Sequence, residues 1–277
     1  MEWLTRSRGP VGMLLPVGDA RFNLLDLFSG IGGFSLGLER SLGFKTVAFC
    51  EIEPFPRRVL AKHWSEVPCY DDIRTLTAAR LAADGITVDA ICGGFPCQDI
   101  SNAGLRAGIE GERSGLWSEY ARLIGEIRPR YVFVENVAAL LGRGIGRVLG
   151  DLSALGYDAE WHCIPASSIG APHIRDRLWV VAYPKQRKRV HPILNADNEP
   201  ARKWRDKTIR RSDRIRHEMG STVPALSYQW LDQPDPTRMV DGVPDWPHRL
   251  AAIGNAVVPQ IPEILGRAVM AYERDHG

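Results

Sequence analysis

The chain has 277 residues, of which 44% are hydrophobic and 25% charged, and its formal net charge is +2. These values fit a soluble globular protein built as one large domain, with or without a small satellite, and exclude a fibrous or wholly disordered chain. The near-zero balance of charge does not announce a polyanionic partner, so local charge distribution has to decide that question.

The five cysteines (Cys50, Cys69, Cys92, Cys97, Cys163) are scattered and odd in number. No CxxC pair or Cys/His ligand spacing occurs, which points to a reducing compartment and away from a disulfide framework or a structural zinc. No apolar run approaches the ~18 residues of a membrane span. Residues 1–21 have the composition of a loose N-terminal extension without a signal-peptide pattern, and either Met1 or Met13 serves as the start.

Asn23 to Phe28 is predicted as a first buried strand, followed by Ser29-Gly30-Ile31-Gly32-Gly33 and a helix beginning near Phe34. Strand, glycine-rich turn and helix form a site for a nucleotide-like group, because the ligand can approach the backbone and the helix start offers N–H donors. Lys45 to Cys50 is the second strand and ends on Glu51, where a ribose diol is usually held. Asp71-Asp72-Ile73 closes a short third strand, with Asp72 a candidate acceptor for an exocyclic amine. A helix over Thr75 to Ala83 leads to strand four, Val88 to Cys92, and then to Gly93-Gly94-Phe95-Pro96-Cys97-Gln98. Two glycines and a proline make a stiff turn there, placing a thiol beyond the end of a strand.

A long polar loop, Gln98 to Gly115, has the character of a lid. Leu116 to Ile127 is helical, Arg130 to Val134 is strand five, and Glu135-Asn136-Val137 follow it. A helix over Gly146 to Leu155 and strand six, Tyr157 to Ile164, precede His173-Ile174-Arg175-Asp176-Arg177 and strand seven, Leu178 to Tyr183. This alternation predicts an α/β fold with a doubly wound, mostly parallel sheet. After Tyr183 basic residues cluster, Arg210, Arg211 and Arg214 among them, and prolines recur. That segment reads as a small inserted region with a basic face suited to phosphate contact. A last apolar helix, Ala256 to Tyr272, is expected to pack back on the first domain.

The strand ends thus collect a nucleotide-shaped turn, a thiol, a carboxylate and two arginines. Positive charge activates a thiol by lowering its pKa. Arg175 and Arg177 either supply that charge or hold a phosphate. A thiol beside an acid suits addition to an electron-poor ring, with the acid protonating or hydrogen-bonding a ring nitrogen.

At this point the chain resembles the DNA (cytosine-5-)-methyltransferase family. The matching segments are Asp26 to Gly33, Gly93 to Gln98, Glu135-Asn136-Val137, His173 to Arg177, and Gly254-Asn255-Ala256-Val257-Val258-Pro259, in the family's order. The resemblance implies a Rossmann-like S-adenosylmethionine-dependent catalytic domain over 22–183, a small target-recognition region over 184–247, and a C-terminal segment, 248–277, returning to the catalytic domain.

It also implies roles. S-adenosylmethionine would lie along Phe28, Ser29, Gly30, Ile31, Gly32 and Gly33, with Glu51 on the ribose, Ile52 on the adenine, and Asp72 and Ile73 at its edge. Pro96, Leu116 and Asn255 would line the rest of the pocket. Cys97 would add to C6 of a flipped-out cytosine, Glu135 would contact N3 and the amino group, and Arg175 and Arg177 would hold the base and backbone. Asn136 would brace the Pro96-Cys97 turn, while Gln98, Arg113, Arg210, Arg211 and Arg214 would meet DNA. Double-stranded DNA is the implied partner of a monomer, with a cognate restriction endonuclease as a further possibility. The implied location is the cytoplasm, at the nucleoid, of a bacterial or phage-infected cell. The family usually carries glutamine where this chain has His173, its arginine-rich segment is not evident over Val243 to Ala252, and its inserted region is longer. The same residues also suit an RNA cytosine methyltransferase. A nicotinamide oxidoreductase would leave Pro96-Cys97 and Glu135-Asn136 unexplained.

Overall fold

The computed structural model describes residues 22–96, 115–171, 173–185 and 252–276. Seven strands form one sheet: β1 (Phe22–Leu27), β2 (Phe44–Cys50), β3 (Cys69–Tyr70), β4 (Ala90–Gly93), β5 (Tyr131–Val137), β6 (Tyr157–Pro165) and β7 (Asp176–Pro184). Their order is β3-β2-β1-β4-β5-β7-β6. The first five run parallel, whereas β7 is antiparallel to both β5 and β6. Because of that reversal, the beginning of β7 lies at the same sheet edge as the ends of β1 to β5, with Val137 opposite Arg177.

The helices are α1 (Gly33–Arg40), α2 (Pro54–His63), α3 (Ala78–Ala83), α4 (Leu116–Ile127), α5 (Leu140–Arg143), α6 (Ile145–Ala154) and α7 (Gln260–His276). Alternating side chains of the strands divide the core in two. Leu25, Leu27, Ile91, Val132 and Val134 face a cluster with Tyr120, Leu123 and Ile124 of α4 and Val148 and Leu152 of α6. Phe22, Leu24, Ala90, Cys92 and Phe133 face a second cluster with Phe34 and Leu38 of α1 and Ile261, Leu265 and Val269 of α7. A strand flanked by helices on both faces has to be apolar on both, which explains the continuous apolar runs of β1, β4 and β5.

Element boundaries moved where local chemistry overrides periodicity. α3 starts at Ala78, not Thr75, because Thr77 caps it, its side chain accepting the N–H of Arg80 at 3.1 Å. α7 starts at Gln260, not Ala256: Val258 precedes Pro259, and a residue before proline is held out of helical geometry. Its Glu273 is buried and accepts from Tyr131 Oη at 2.5 Å and Arg130 Nη2 at 3.2 Å, fastening the helix to β5. α1 and α7 meet closely. A β-carbon on Gly37 would run into the carbonyl oxygen of Pro259 and one on Gly33 into that of Val257.

Candidate active site

The glycine turn after β1 is built by left-handed backbone at Phe28 (φ 52), Gly30 (φ 54) and Gly32 (φ 85). The N–H groups of this turn are taken up within the protein: Ser29 donates to the carbonyl oxygen of Cys50 at 3.3 Å, Gly30 to Glu51 Oε2 at 2.7 Å and Gly32 to the carbonyl oxygen of Ser29 at 2.9 Å. Phe28 takes this conformation despite carrying a side chain, a strain held by the surrounding packing. Ser29 Oγ donates to the carbonyl oxygen of Asp26 at 2.6 Å, closing the turn. Asp26 is buried, and its Oδ2 accepts the hydroxyl of Ser35 at 2.7 Å and the N–H of Ser35 at 3.3 Å. Burial pushes its carboxyl up to about 7, although hydrogen bonds from Ser35 and Cys92 pull the other way. Sequence reasoning gave Asp26 no role. The available signal was one acid in an otherwise apolar strand, followed by a serine in the next helix.

Glu51 is buried at the end of β2. Its Oε2 accepts the N–H of Gly30 at 2.7 Å and its Oε1 the N–H of Glu53 at 2.8 Å, so it links the glycine turn to the start of α2. Burial raises its pKa, and those two backbone donors oppose the rise. Next to it Ile52 is 59% exposed, an apolar side chain left open at the pocket mouth. A β-carbon added at Gly30 would meet nothing within 4 Å, which is open space above the turn. Open space above the turn, a carboxylate with backbone-fixed orientation and an uncovered isoleucine thus lie together at this end of the sheet.

Not every expected contact is available. Asp72 is engaged by Arg74, which donates Nε at 2.9 Å to Oδ1 and Nη2 at 2.8 Å to Oδ2. That hydrogen bonding holds the Asp72 carboxyl below its ordinary value. An exocyclic amine would therefore have to share this carboxylate with a guanidinium. Ile73 is 5% exposed, packs its side chain into the core, and accepts from Arg122 Nη2 at its carbonyl oxygen at 2.9 Å. Leu116 begins α4 and packs, like Phe28, at the margin of the first core cluster. Asn255 is exposed at the end of a short helical turn.

The second half of the site lies where β4, β5 and β7 end or begin. Glu135 sits in β5 with its side chain only 12% exposed, and Arg177 Nε approaches Oε1 at 3.0 Å. Burial raises the Glu135 pKa, and the charges of Arg177 and Arg175 oppose it. Gly94 passes so close that a β-carbon there would stand 2.8 Å from Glu135 Oε2. Asn136 Nδ2 donates to the carbonyl oxygen of Phe95 at 3.1 Å, and its Oδ1 accepts the N–H of Val137 at 2.8 Å. The amide thus fixes the backbone just before Pro96, which is half-buried. Cys97, Gln98 and Arg113 lie outside the described residues, as do Arg210, Arg211, Arg214 and nearly all of 184–247.

Arg175 has an engagement that the sequence did not suggest. Its Nη1 donates to the carbonyl oxygen of Gly254 at 2.6 Å and its Nη2 to that of Ala256 at 2.7 Å. The guanidinium grips the backbone on both sides of Asn255, and its charge still acts on Glu135. Arg175 adopts φ 31, in the left-handed region.

A seven-stranded sheet in this order, with one reversed strand and a glycine turn at the end of β1, is the Rossmann-like methyltransferase fold. The sequence matches the family described as C-5 cytosine-specific DNA methylase over residues 22–234, and the chain belongs to that family. It is 36% identical over 167 residues to the Type II methyltransferase M2.BsuMI of Bacillus subtilis, covering 57% of this chain and 41% of that protein. It is 32% identical over 213 residues to the Type II methyltransferase M.CviJI of Paramecium bursaria Chlorella virus IL3A, covering 73% of this chain and 56% of that protein. The chain thus spans about half the length of the curated relatives it matches. Among solved structures, a DNA modification methyltransferase encoded within an E. coli prophage superposes with a TM-score of 0.51 at 28% identity, covering 59% of this chain and 47% of that one.

Proposed function

We propose that the protein transfers a methyl group from S-adenosylmethionine to C5 of a cytosine flipped out of duplex DNA. The observation that carries this reading is the buried Glu135, tied to Arg177 at 3.0 Å, at the strand ends beside a backbone that leads directly into Cys97. A buried carboxyl whose pKa burial raises can present a proton to N3 of a cytosine as well as accept from the amino group. Asn136 holds the backbone of Phe95, two positions before Cys97 in the sequence, which supports a braced thiol.

In this mechanism the Cys97 thiolate forms a bond to C6, and the electron pair of the 5,6 double bond moves to C5. Glu135 stabilises the charge that develops on the ring at N3. S-adenosylmethionine supplies the electrophilic methyl group, as a sulfonium, to C5. Departure of the C5 proton and expulsion of the thiolate then restore the double bond. Phe28 to Gly33, Glu51 and Ile52 would hold the adenosine, with Pro96, Leu116 and Asn255 as further walls. The target carbon is hidden inside a base stack, which requires extrusion of the nucleotide. Gln98, Arg113 and the 184–247 segment with Arg210, Arg211 and Arg214 are assigned to DNA contact, the protein acting as a monomer in the cytoplasm, with or without a cognate endonuclease. Among the described residues no helix is long and apolar enough to cross a membrane.

Incubation with duplex DNA containing 5-fluorocytosine, together with S-adenosylmethionine, tests the reading, because fluorine cannot leave as the proton does. A denaturation-stable protein–DNA adduct that disappears in Cys97→Ser is the expected result. Methyl transfer to unmodified duplex DNA by Cys97→Ser would overturn the assignment, and transfer to tRNA but not DNA would move the substrate to RNA.

A further inference from the structure

Between β3 and α3 the chain crosses the pocket edge with Asp72 and Ile73, and one side chain of α4 holds that crossing. Arg122 Nη2 donates to the carbonyl oxygens of Ile73 and Leu76, each at 2.9 Å. Its Nε donates to Glu119 at 2.8 Å and its Nη1 to Glu126 at 2.6 Å. Glu126 Oε2 in turn accepts the N–H of Ala78 at 2.9 Å, in the first turn of α3. The two carboxylates pin the orientation of the guanidinium, and its planar fork can then reach both carbonyls at once.

The group is not a core ion pair. Arg122, Glu119 and Glu126 have 30%, 29% and 32% of their side chains exposed, and pairs of that kind contribute little to stability. What the cluster sets is geometry. α4 begins at Leu116, so Arg122 joins the element carrying one pocket wall to the loop carrying another. Since the Ile73 side chain is buried in the first core cluster, what Arg122 fixes is the backbone of the 72–76 loop. The exposed Ile52 follows β2, where Glu51 donates its N–H to the carbonyl oxygen of Tyr70 in β3 at 2.9 Å.

We propose that Arg122 is a positioning residue for the adenosine half of the methyl donor: it locks the 72–76 loop to α4 and so fixes the width of the slot opposite Ile52. This rests on the reading that S-adenosylmethionine occupies the pocket. The full-length protein and its Arg122→Gln, Arg122→Lys and Arg267→Gln variants are titrated calorimetrically with S-adenosylhomocysteine and with 5′-methylthioadenosine. Arg267, paired with Glu263 on α7, serves as the control for losing a helix-surface arginine.

Charge-assisted hydrogen bonds of this kind predict that Arg122→Gln weakens both nucleosides by about tenfold. The KM for S-adenosylmethionine should rise with it, while kcat at saturating donor and the KM for DNA stay within about twofold. Arg122→Lys should recover part of the affinity, since an ammonium cannot bridge the same four partners, and Arg267→Gln should match the parent. A merely structural arginine would lower the unfolding temperature and leave Kd unchanged. Parental affinity for both nucleosides in a folded Arg122→Gln overturns the proposal, as does a loss confined to S-adenosylhomocysteine. If the parent protein itself binds neither nucleoside, the donor assignment has failed, and that outcome is visible before any variant is made.

Discussion

Arg177 and Glu135 reach each other across an antiparallel pair of strands, Nε to Oε1 at 3.0 Å, although 42 positions separate them in the chain. β7 runs against β5, so an arginine at its beginning meets a carboxylate near the end of β5. Arg177 is the principal charge keeping this buried carboxyl from rising further. In Arg177→Gln the Glu135 pKa should therefore climb. If Glu135 works as a proton donor to the ring, the basic limb of the pH–rate profile moves to higher pH in that variant, while turnover falls by about a hundredfold or more. An unshifted basic limb would detach that limb from Glu135.

The neighbouring arginine should behave differently. Arg175 spends its donors on the carbonyls of Gly254 and Ala256, so Arg175→Ala loosens the segment carrying Asn255. Its main effect is expected in the Kd for S-adenosylhomocysteine, raised by about tenfold, where Arg177→Gln leaves that Kd nearly unchanged. Equal Kd values for the two variants would return Arg175 to the base pocket.

Gly94 offers a steric probe of the same place. A methyl group at this position would press on Glu135 Oε2 from 2.8 Å and force the carboxylate to move. Gly94→Ala should lower kcat by about a hundredfold while donor binding persists, since small displacements of a reacting group are costly. Donor affinity measured beside single-turnover methylation separates the two effects.

Asp26 makes stability depend on pH. Its carboxyl titrates near 7 in the folded protein against 3.8 for the free group, so the folded state holds the proton more tightly. The stabilisation is complete below the unfolded value and is lost as pH rises through the folded one, between about pH 4 and pH 7. Asp26→Asn removes this titration and keeps an acceptor for Ser35. Urea unfolding at pH 5 and pH 8 should show the parent losing about 3 kcal/mol more than the variant between the two conditions. A parallel pH dependence would place the Asp26 pKa near its ordinary value.

The mostly parallel sheet and the glycine turn were legible because a doubly covered strand must be apolar through its centre and a tight turn needs glycine. The short third strand, expected to close on Asp71 to Ile73, ends at Tyr70, because the carboxylate of Asp72 folds back on Arg74 and draws the chain out of the sheet. α2 was missed: Pro54 and Pro56 suggest a break, yet proline is favoured in a first helical turn, where no N–H is needed. The grip of Arg175 on the carbonyls of Gly254 and Ala256 was invisible, since those partners are backbone atoms far along the chain. Arg122 was hidden for the same reason. Its partners are backbone carbonyls, and any sequence supplies those.

α7 lies against the glycine face of α1, and Val257 and Pro259 fill the space that β-carbons on Gly33 and Gly37 would claim. During synthesis this covering helix leaves the ribosome long after the strands it completes. Until then the apolar flank that α7 covers, with Phe34 and Leu38 of α1 on it, lacks its partner. The same arrangement makes the protein a natural substrate for splitting: a fragment ending after β7 and a separately expressed α7 peptide should find each other through that flank and restore donor binding in trans.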